Sequence, residues 1–331
     1  MASIEEMKGS RLKCAMDVSP TELFFSLTDY RNNIFLSENS KDILEFFNGF
    51  EDRDHLIEWM KERPKGTATV HEVEGNKSII VVIPTADFNG KYAKECRENI
   101  FKGLQIIFVE SGEFPDPYFN YAQNCNLGIK VAMKYNPKWI VISNDDMEVA
   151  EPIEKLKEEL DRINAPSGWI VLAKGKGFHS KTIKIGYRTK FIRLLKFSKK
   201  YSRILNFEKS IEIKYGQLLG IDGYYSIHTI FTKSVYKIHN VGSFFIFSPK
   251  ILMKYKGILF DETYINGYED VDFSINESSN KLIFTDYRIN DIGGATLGSL
   301  NSIRSIRDII NKIYITYKFE KGLFKNFGKK Q

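Results

Sequence analysis

The sequence predicts an α/β fold, a Rossmann-like and mostly parallel central sheet flanked by helices, and three features predict it. Unbroken apolar runs at 78–83, 104–109 and 139–142 read as strands buried on both faces. The stretches between them carry helical periodicity, as parallel crossovers require. Two adjacent carboxylates, in Asn144-Asp145-Asp146, follow the third run. That is where open α/β sheets place their ligands.

Residues 1–76 read as a small accessory region. Ser40-Lys41-Asp42-Ile43 starts a capped helix, and 54–63 repeats the pattern before Pro64 stops it. Phe46, Phe47, Leu56, Ile57 and Trp59 are expected to pack. The main domain, 77–300, opens with a strand at 78–85, a polar helix-compatible stretch to 102, and a strand at 104–109 ending in Glu110-Ser111-Gly112. Ala122, Cys125, Ile129 and Ala132 give 121–135 a helical stripe before the strand at 138–142. A helix at 152–163 and a strand at 169–173 continue the alternation, which implies right-handed βαβ units.

A basic insertion, 174–240, breaks this rhythm. Val241-Gly242-Ser243-Phe244 then reads as a strand with a small-residue entrance, and 260–273 is an acidic, aromatic stretch. Asp291-Ile292-Gly293-Gly294 marks a glycine turn, and 301–331 is a basic, helical C-terminal tail.

The chain has 331 residues and a formal charge of +6, unevenly spread. Between 174 and 214, thirteen Lys and Arg face only Glu208 and Glu212; from 301 on, eight face Asp308 and Glu320. The remainder is net acidic, so a basic surface is expected to meet an anionic membrane, a nucleic acid or a phosphorylated substrate. Phe191, Leu194, Leu195, Phe197, Tyr201, Ile204 and Leu205 fall on one helical side among Lys196, Lys199, Lys200 and Arg203. Such a helix either lies on an anionic membrane or packs on its own domain. Regular basic–aromatic stacking modules are not evident, so nucleic acid is not the expected partner. No run approaches the ~18 apolar residues of a membrane span, and Met1 to Ser10 lacks a signal peptide's apolar region. Cys14, Cys96 and Cys125 have neither metal nor disulfide spacing, so reduced thiols in a cytoplasmic protein are expected.

Adjacent carboxylates at a strand end suit a solvated turn or a hard cation such as Mg²⁺ or Mn²⁺, whose shell a substrate diphosphate completes. The first strand ends in Pro84-Thr85-Ala86-Asp87 with no G-x-G-x-x-G, and no G-x-x-x-x-G-K-[ST] occurs. A bound diphosphate would therefore be neutralised by a cation rather than by a glycine loop.

With these pieces in order, the chain resembles glycosyltransferase family 2, the inverting nucleotide-sugar enzymes of GT-A fold, from about 78 to 296. Four motifs carry the likeness: Ile83-Pro84-Thr85, Asn144-Asp145-Asp146, Gly242-Ser243, and Phe260-Asp261-Glu262 through Gly267-Tyr268-Glu269-Asp270-Val271-Asp272. The resemblance implies a donor site of Pro84, Thr85, Glu110, Asn144 and Asp145, and an acceptor site of Gly242, Ser243 and Glu269. It implies Asp270 as catalytic base, with Asp146 and Asp291 holding Mn²⁺ or Mg²⁺. Two positions depart from the pattern: Glu110 stands where the family more often has Asp, and Asp291 where it commonly has a metal-binding His. The implied partners are a nucleoside-diphosphate sugar and a sugar or lipid-linked acceptor, with 174–214 and 301–331 facing any anionic membrane. The implied location is the cytoplasm or the cytoplasmic face of a membrane. Two rival readings are a non-catalytic polyanion- or membrane-binding protein on this scaffold and a sugar nucleotidyltransferase. The latter's glycine- and arginine-rich first loop is not found after Thr85.

Overall fold

The computed structural model describes residues 50–111, 119–149, 151–163, 168–177, 179–189, 223–227, 234–278, 282–292 and 301–324. The expected helix at Ser40, the amphipathic stretch 191–205 and the Gly293-Gly294 pair lie outside these residues.

The first described element is α1 (Arg53–Glu62), capped by Asp52, whose carboxylate accepts the His55 amide at 2.9 Å. Two strands follow, β1 (Ala68–Val73) and β2 (Asn76–Thr85). Helix α2 (Lys91–Glu95) runs into a π turn, Cys96–Ile100, and leads to β3 (Leu104–Ser111). Helix α3 (Tyr121–Ala132), β4 (Trp139–Ser143), β5 (Met147–Val149), α4 (Ile153–Arg162) and β6 (Ile170–Lys174) come next. Three strands, β7 (Lys181–Thr189), β8 (Gly223–Ile227) and β9 (Ser234–Asn240), form a separate antiparallel sheet. The chain returns through β10 (Phe244–Phe247), a 3₁₀ segment Pro249–Tyr255, α5 (Glu269–Asn276), β11 (Leu282–Asp291) and α6 (Asn301–Glu320).

The main sheet has eight strands in the order β1-β3-β2-β4-β10-β6-β11-β5. Five of them, β3, β2, β4, β6 and β11, run the same way, with β1, β10 and β5 against them. Alternate residues of β2 explain its unbroken apolar run: Ile79, Val81 and Ile83 enter one core layer, Ile80 and Val82 the other. Helix α3 lies so close to β2 that a Cβ on Gly128 would sit 2.3 Å from Val82 Cγ1, so this crossing requires glycine.

A second core joins the two ends of the described chain. Leu56, Ile57, Trp59 and Met60 of α1 meet Ile310, Ile313, Tyr314, Ile315 and Phe319 of α6. Ile183, Ile185 and Ile238 of the small sheet, and Tyr264, Val271 and Ile275 around α5, complete it. The expected accessory region thus gives β1 to the main sheet and α1 to this core. The expected basic tail is, between 310 and 319, largely a core helix. The described parts of the insertion at 181–189, 223–227 and 234–240 are the three strands. Among the described residues no helix is long and apolar enough to cross a membrane.

Candidate active site

Strand order reverses at β2, with β3 on one side and β4 on the other, which opens a crevice beyond their carboxyl ends. Thr85 and Asp145 face each other across it, the Thr85 hydroxyl donating to Asp145 Oδ2 at 2.8 Å. Because β10 runs antiparallel, its first residue pairs with the last of β4, Phe244 with Ser143. Gly242-Ser243 therefore enters the same edge. Gly242 turns with φ +62°, and the Ser243 carbonyl accepts the Asn144 amide at 3.0 Å.

Asp291, at the end of β11, comes to this edge too. The Ser243 hydroxyl donates to Asp291 Oδ2 at 2.5 Å, and the Ile292 amide donates to the Asp146 carbonyl at 3.0 Å. Gly177 packs on Asp291 at φ +135°, where a Cβ would come within 2.3 Å of the Asp291 Cβ. Asp145 and Asp146 are both buried, so the adjacent carboxylates are not a solvated turn. The π turn of α2 supports them, since the Cys96 thiol donates to the Asp145 carbonyl at 3.2 Å.

The acidic motif is fastened to the connection between β9 and β10. The Asn240 amide donates to Asp270 Oδ2 at 2.7 Å, the Ser274 hydroxyl donates to Asn240 Oδ1 at 3.1 Å, and the Val241 amide donates to Ser274 Oγ at 3.0 Å. Residues 240–243 thus tie the first turn of α5 to Ser243 and Asp291. Tyr121 supplies a further link, its hydroxyl donating to Asn144 Oδ1 at 3.1 Å. Burial foremost, then Cys125, Glu269 and Asp270, push the Tyr121 phenol well up, so it stays a neutral donor.

Comparisons with protein-family models and with curated proteins find no match for this chain. Its chemistry rests on its own geometry.

The two carboxyl groups that open α5 differ. Burial, reinforced by Asp270, raises Glu269 to about 8, against the Gly267 amide on its Oε2 at 2.7 Å. Burial also raises Asp270, while the Asn240 amide pulls it down. Glu269 therefore keeps its proton at neutral pH. Asp270 is the more exposed member of the pair.

Pro84 is buried in β2 and sets the position of Thr85, which is in register with Glu110 of β3. Both Glu110 oxygens bond within the protein: Oε1 accepts the Phe88 amide at 2.8 Å, and Oε2 lies 2.7 Å from His71 Nε2. His71 stacks on Phe88, and the Arg97 guanidinium lies over the same ring at 4.8 Å. Glu110 therefore organises this stack at the end of β3, and a bound base would have to displace one of its partners.

Asp146 and Asp291 offer hard oxygen donors at neighbouring strand ends. Among the described residues no group of three or more His, Cys, Asp or Glu is arranged to hold a metal ion. A two-carboxylate site suits Mg²⁺ or Mn²⁺ when substrate phosphates and water complete the shell.

Sequence reasoning did not single out Asn240, Tyr121, His179 or Lys318. His179 is buried, with Nδ1 3.5 Å from Ser243 Oγ. Burial lowers its pKa against the opposing pull of the Lys174 carbonyl and Asp291. Lys318 of α6 bonds Asp261 Oδ2 at 2.9 Å and Asp272 Oδ2 at 2.5 Å, so these two motif carboxylates hold structure.

Proposed function

We propose that this chain is a metal-dependent inverting glycosyltransferase of GT-A type, moving a sugar from a nucleoside-diphosphate sugar to an acceptor hydroxyl. The observation that carries the reading is convergence. Asp145, Asp146, Ser243 and Asp291 meet at one sheet edge, and residues 240–243 tie that edge to Asp270.

Thr85 and Asp145 would orient the donor's ribose or sugar, and the Tyr121–Asn144 bond closes that side of the crevice. Asp146 and Asp291 would hold the cation. A divalent ion bound there supplies Lewis-acid stabilisation of the departing diphosphate. The acceptor oxygen attacks the anomeric carbon as the bond to the diphosphate breaks, and Asp270 takes the hydroxyl proton. A single displacement inverts that carbon. Proton removal by a positioned carboxylate contributes typically ~10²–10⁴-fold. Glu269, protonated at neutral pH, would donate a hydrogen bond to the acceptor rather than compete as base.

The test is release of nucleoside diphosphate from a panel of nucleotide sugars with Mn²⁺ or Mg²⁺. Release that needs the cation and falls about 100-fold or more in Asp270→Asn supports the reading. Asp270→Asn losing donor affinity at unchanged turnover would make Asp270 a binding residue. No release from any donor would remove the reading.

A further inference from the structure

We propose that the outward face of the three-stranded sheet is a docking surface for an anionic lipid membrane. Strand β7 alternates from Thr182 to Ile185, and strand β9 from Lys237 to Asn240. Ile183, Ile185 and Ile238 point inward to the second core, while Thr182, Lys184, Lys237 and His239 are exposed. The register sets Thr182 opposite His239 and Lys184 directly opposite Lys237. Like charges facing each other across an antiparallel ladder destabilise it, with Cβ atoms only about 4.5–5.5 Å apart. Among the described residues neither lysine is in an ion pair, so nothing there offsets the repulsion. A negatively charged surface laid over the ladder would.

Phe284 gives this face an apolar element. It is 51% exposed on β11, with its ring 5.2 Å from that of His239. The nearby Asp286 carboxylate is bonded to the Lys174 ammonium, which offsets its charge. An exposed aromatic beside unpaired lysines suits the headgroup level of a bilayer, where cations meet lipid phosphates and a ring enters the apolar boundary. The groups stand on an open pleated face, which fits an extended surface better than a small anion. His239 immediately precedes Asn240, whose amide holds Asp270. The two side chains leave opposite faces of β9, so a docked membrane would lie across this strand from the proposed base.

Sedimentation of the full chain with lipid vesicles tests this, and the readout needs no sugar transfer, so its failure leaves the proposed activity untouched. One set of vesicles is phosphatidylcholine alone and the other equal parts phosphatidylcholine and phosphatidylserine. At ~0.1 M salt the chain should sediment with the anionic vesicles only, and less so at ~1 M, where the Debye length falls from ~10 Å to ~3 Å. The double variant K184Q/K237Q should bind roughly tenfold to thirtyfold more weakly, as expected for two lysines near a charged bilayer. F284S should weaken binding several-fold. The control K130Q/K134Q removes equal charge from exposed positions on and just beyond α3 and should bind as the parent does. The segment 190–222 carries eight Lys and Arg against Glu208, Glu212 and Asp222. Unchanged binding of K184Q/K237Q would assign attraction to that segment and overturn the proposal. Equal sedimentation with neutral and anionic vesicles would overturn it, as would displacement by millimolar inorganic phosphate or binding to single-stranded DNA without vesicle binding.

Discussion

Replacing Lys318 with Met should destabilise the fold strongly at neutral pH and much less in acid. The ammonium lies between Asp261 and Asp272, and its side chain is 10% exposed, against 26% and 6% for the two carboxylates. Tyr264 donates to Asp272 at 2.8 Å and Tyr314 to Asp261 at 2.9 Å, so the cluster fastens α6 to the acidic loop. Asn311 adds two bonds to the Ile265 backbone, at 2.9 and 3.0 Å. Met keeps most of the apolar stem and removes only the charge. Deleting one partner of such a buried pair costs ~3–5 kcal/mol, a large part of the ~5–15 kcal/mol that stabilises a domain. For a chain of 331 residues, with an unfolding entropy of roughly 0.7 kcal/mol/K, that lowers Tm by roughly 4–7 °C. Burial raises Asp272 despite Lys318, whereas at Asp261 burial is outweighed by Lys318 and the Thr263 hydrogen bonds together, which lower it. Without Lys318 both folded-state values rise, Asp272 still further above its unfolded value. The variant's folded state then binds more protons than its unfolded state, and its stability falls as pH rises through that window. Wild type also loses the Asp261 contribution as pH falls through that group's lowered value. Both effects narrow the gap in acid. Thermal unfolding followed by circular dichroism from pH 4 to pH 8 measures it, with Lys318→Arg expected to recover part of the loss. A deficit that is absent at pH 7, or equal at every pH, would refute the reasoning.

Three further outcomes are expected. Glu269→Gln should flatten the pH dependence of stability between its ordinary 4.5 and about 8. The raised carboxyl makes wild type lose stability as pH rises across that window, by up to ~1.4 kcal/mol per pH unit, and denaturant midpoints at several pH values would show it. Tyr121→Phe should keep the fold and weaken donor binding several-fold, because Asn144 loses its hydroxyl partner; calorimetry would read this. Gly128→Leu should destabilise by several kcal/mol, since even a Cβ there meets Val82, and chemical unfolding would show it.

The parallel half of the sheet was readable because β2, β3, β4 and β6 are covered on both faces, which demands continuous aliphatic runs. Helix α1 was readable from its ends, where the run stops at Pro64. The small sheet was not readable, because Lys181, Lys184 and Lys237 give β7 and β9 so much charge that 174–240 reads as a basic insertion. Its signal was still present, since Ile183 and Ile185 alternate with exposed residues as a half-buried strand requires. Strand β11 hid similarly, with Thr285, Tyr287 and Ile289 buried between exposed Phe284, Asp286 and Arg288.

At the site, the carboxylates were legible because each sits at the end of a strand or the start of a helix. Their partners were not. Asn240 lies 30 residues from Asp270 and Lys318 lies 57 from Asp261, and only the folded chain brings such residues together. The C-terminal tail reads as basic for the same reason: Lys318 announces a charge, while its burial depends on two acids that the sequence places in another motif.

Calorimetric titration of a nucleoside diphosphate into the protein tests the central claim most directly. With Mn²⁺ present the wild-type chain should bind it, and chelator or Asp146→Asn should remove most of that binding, since Asp146 and Asp291 are the proposed cation ligands. Equal affinity in the presence of chelator would contradict the account.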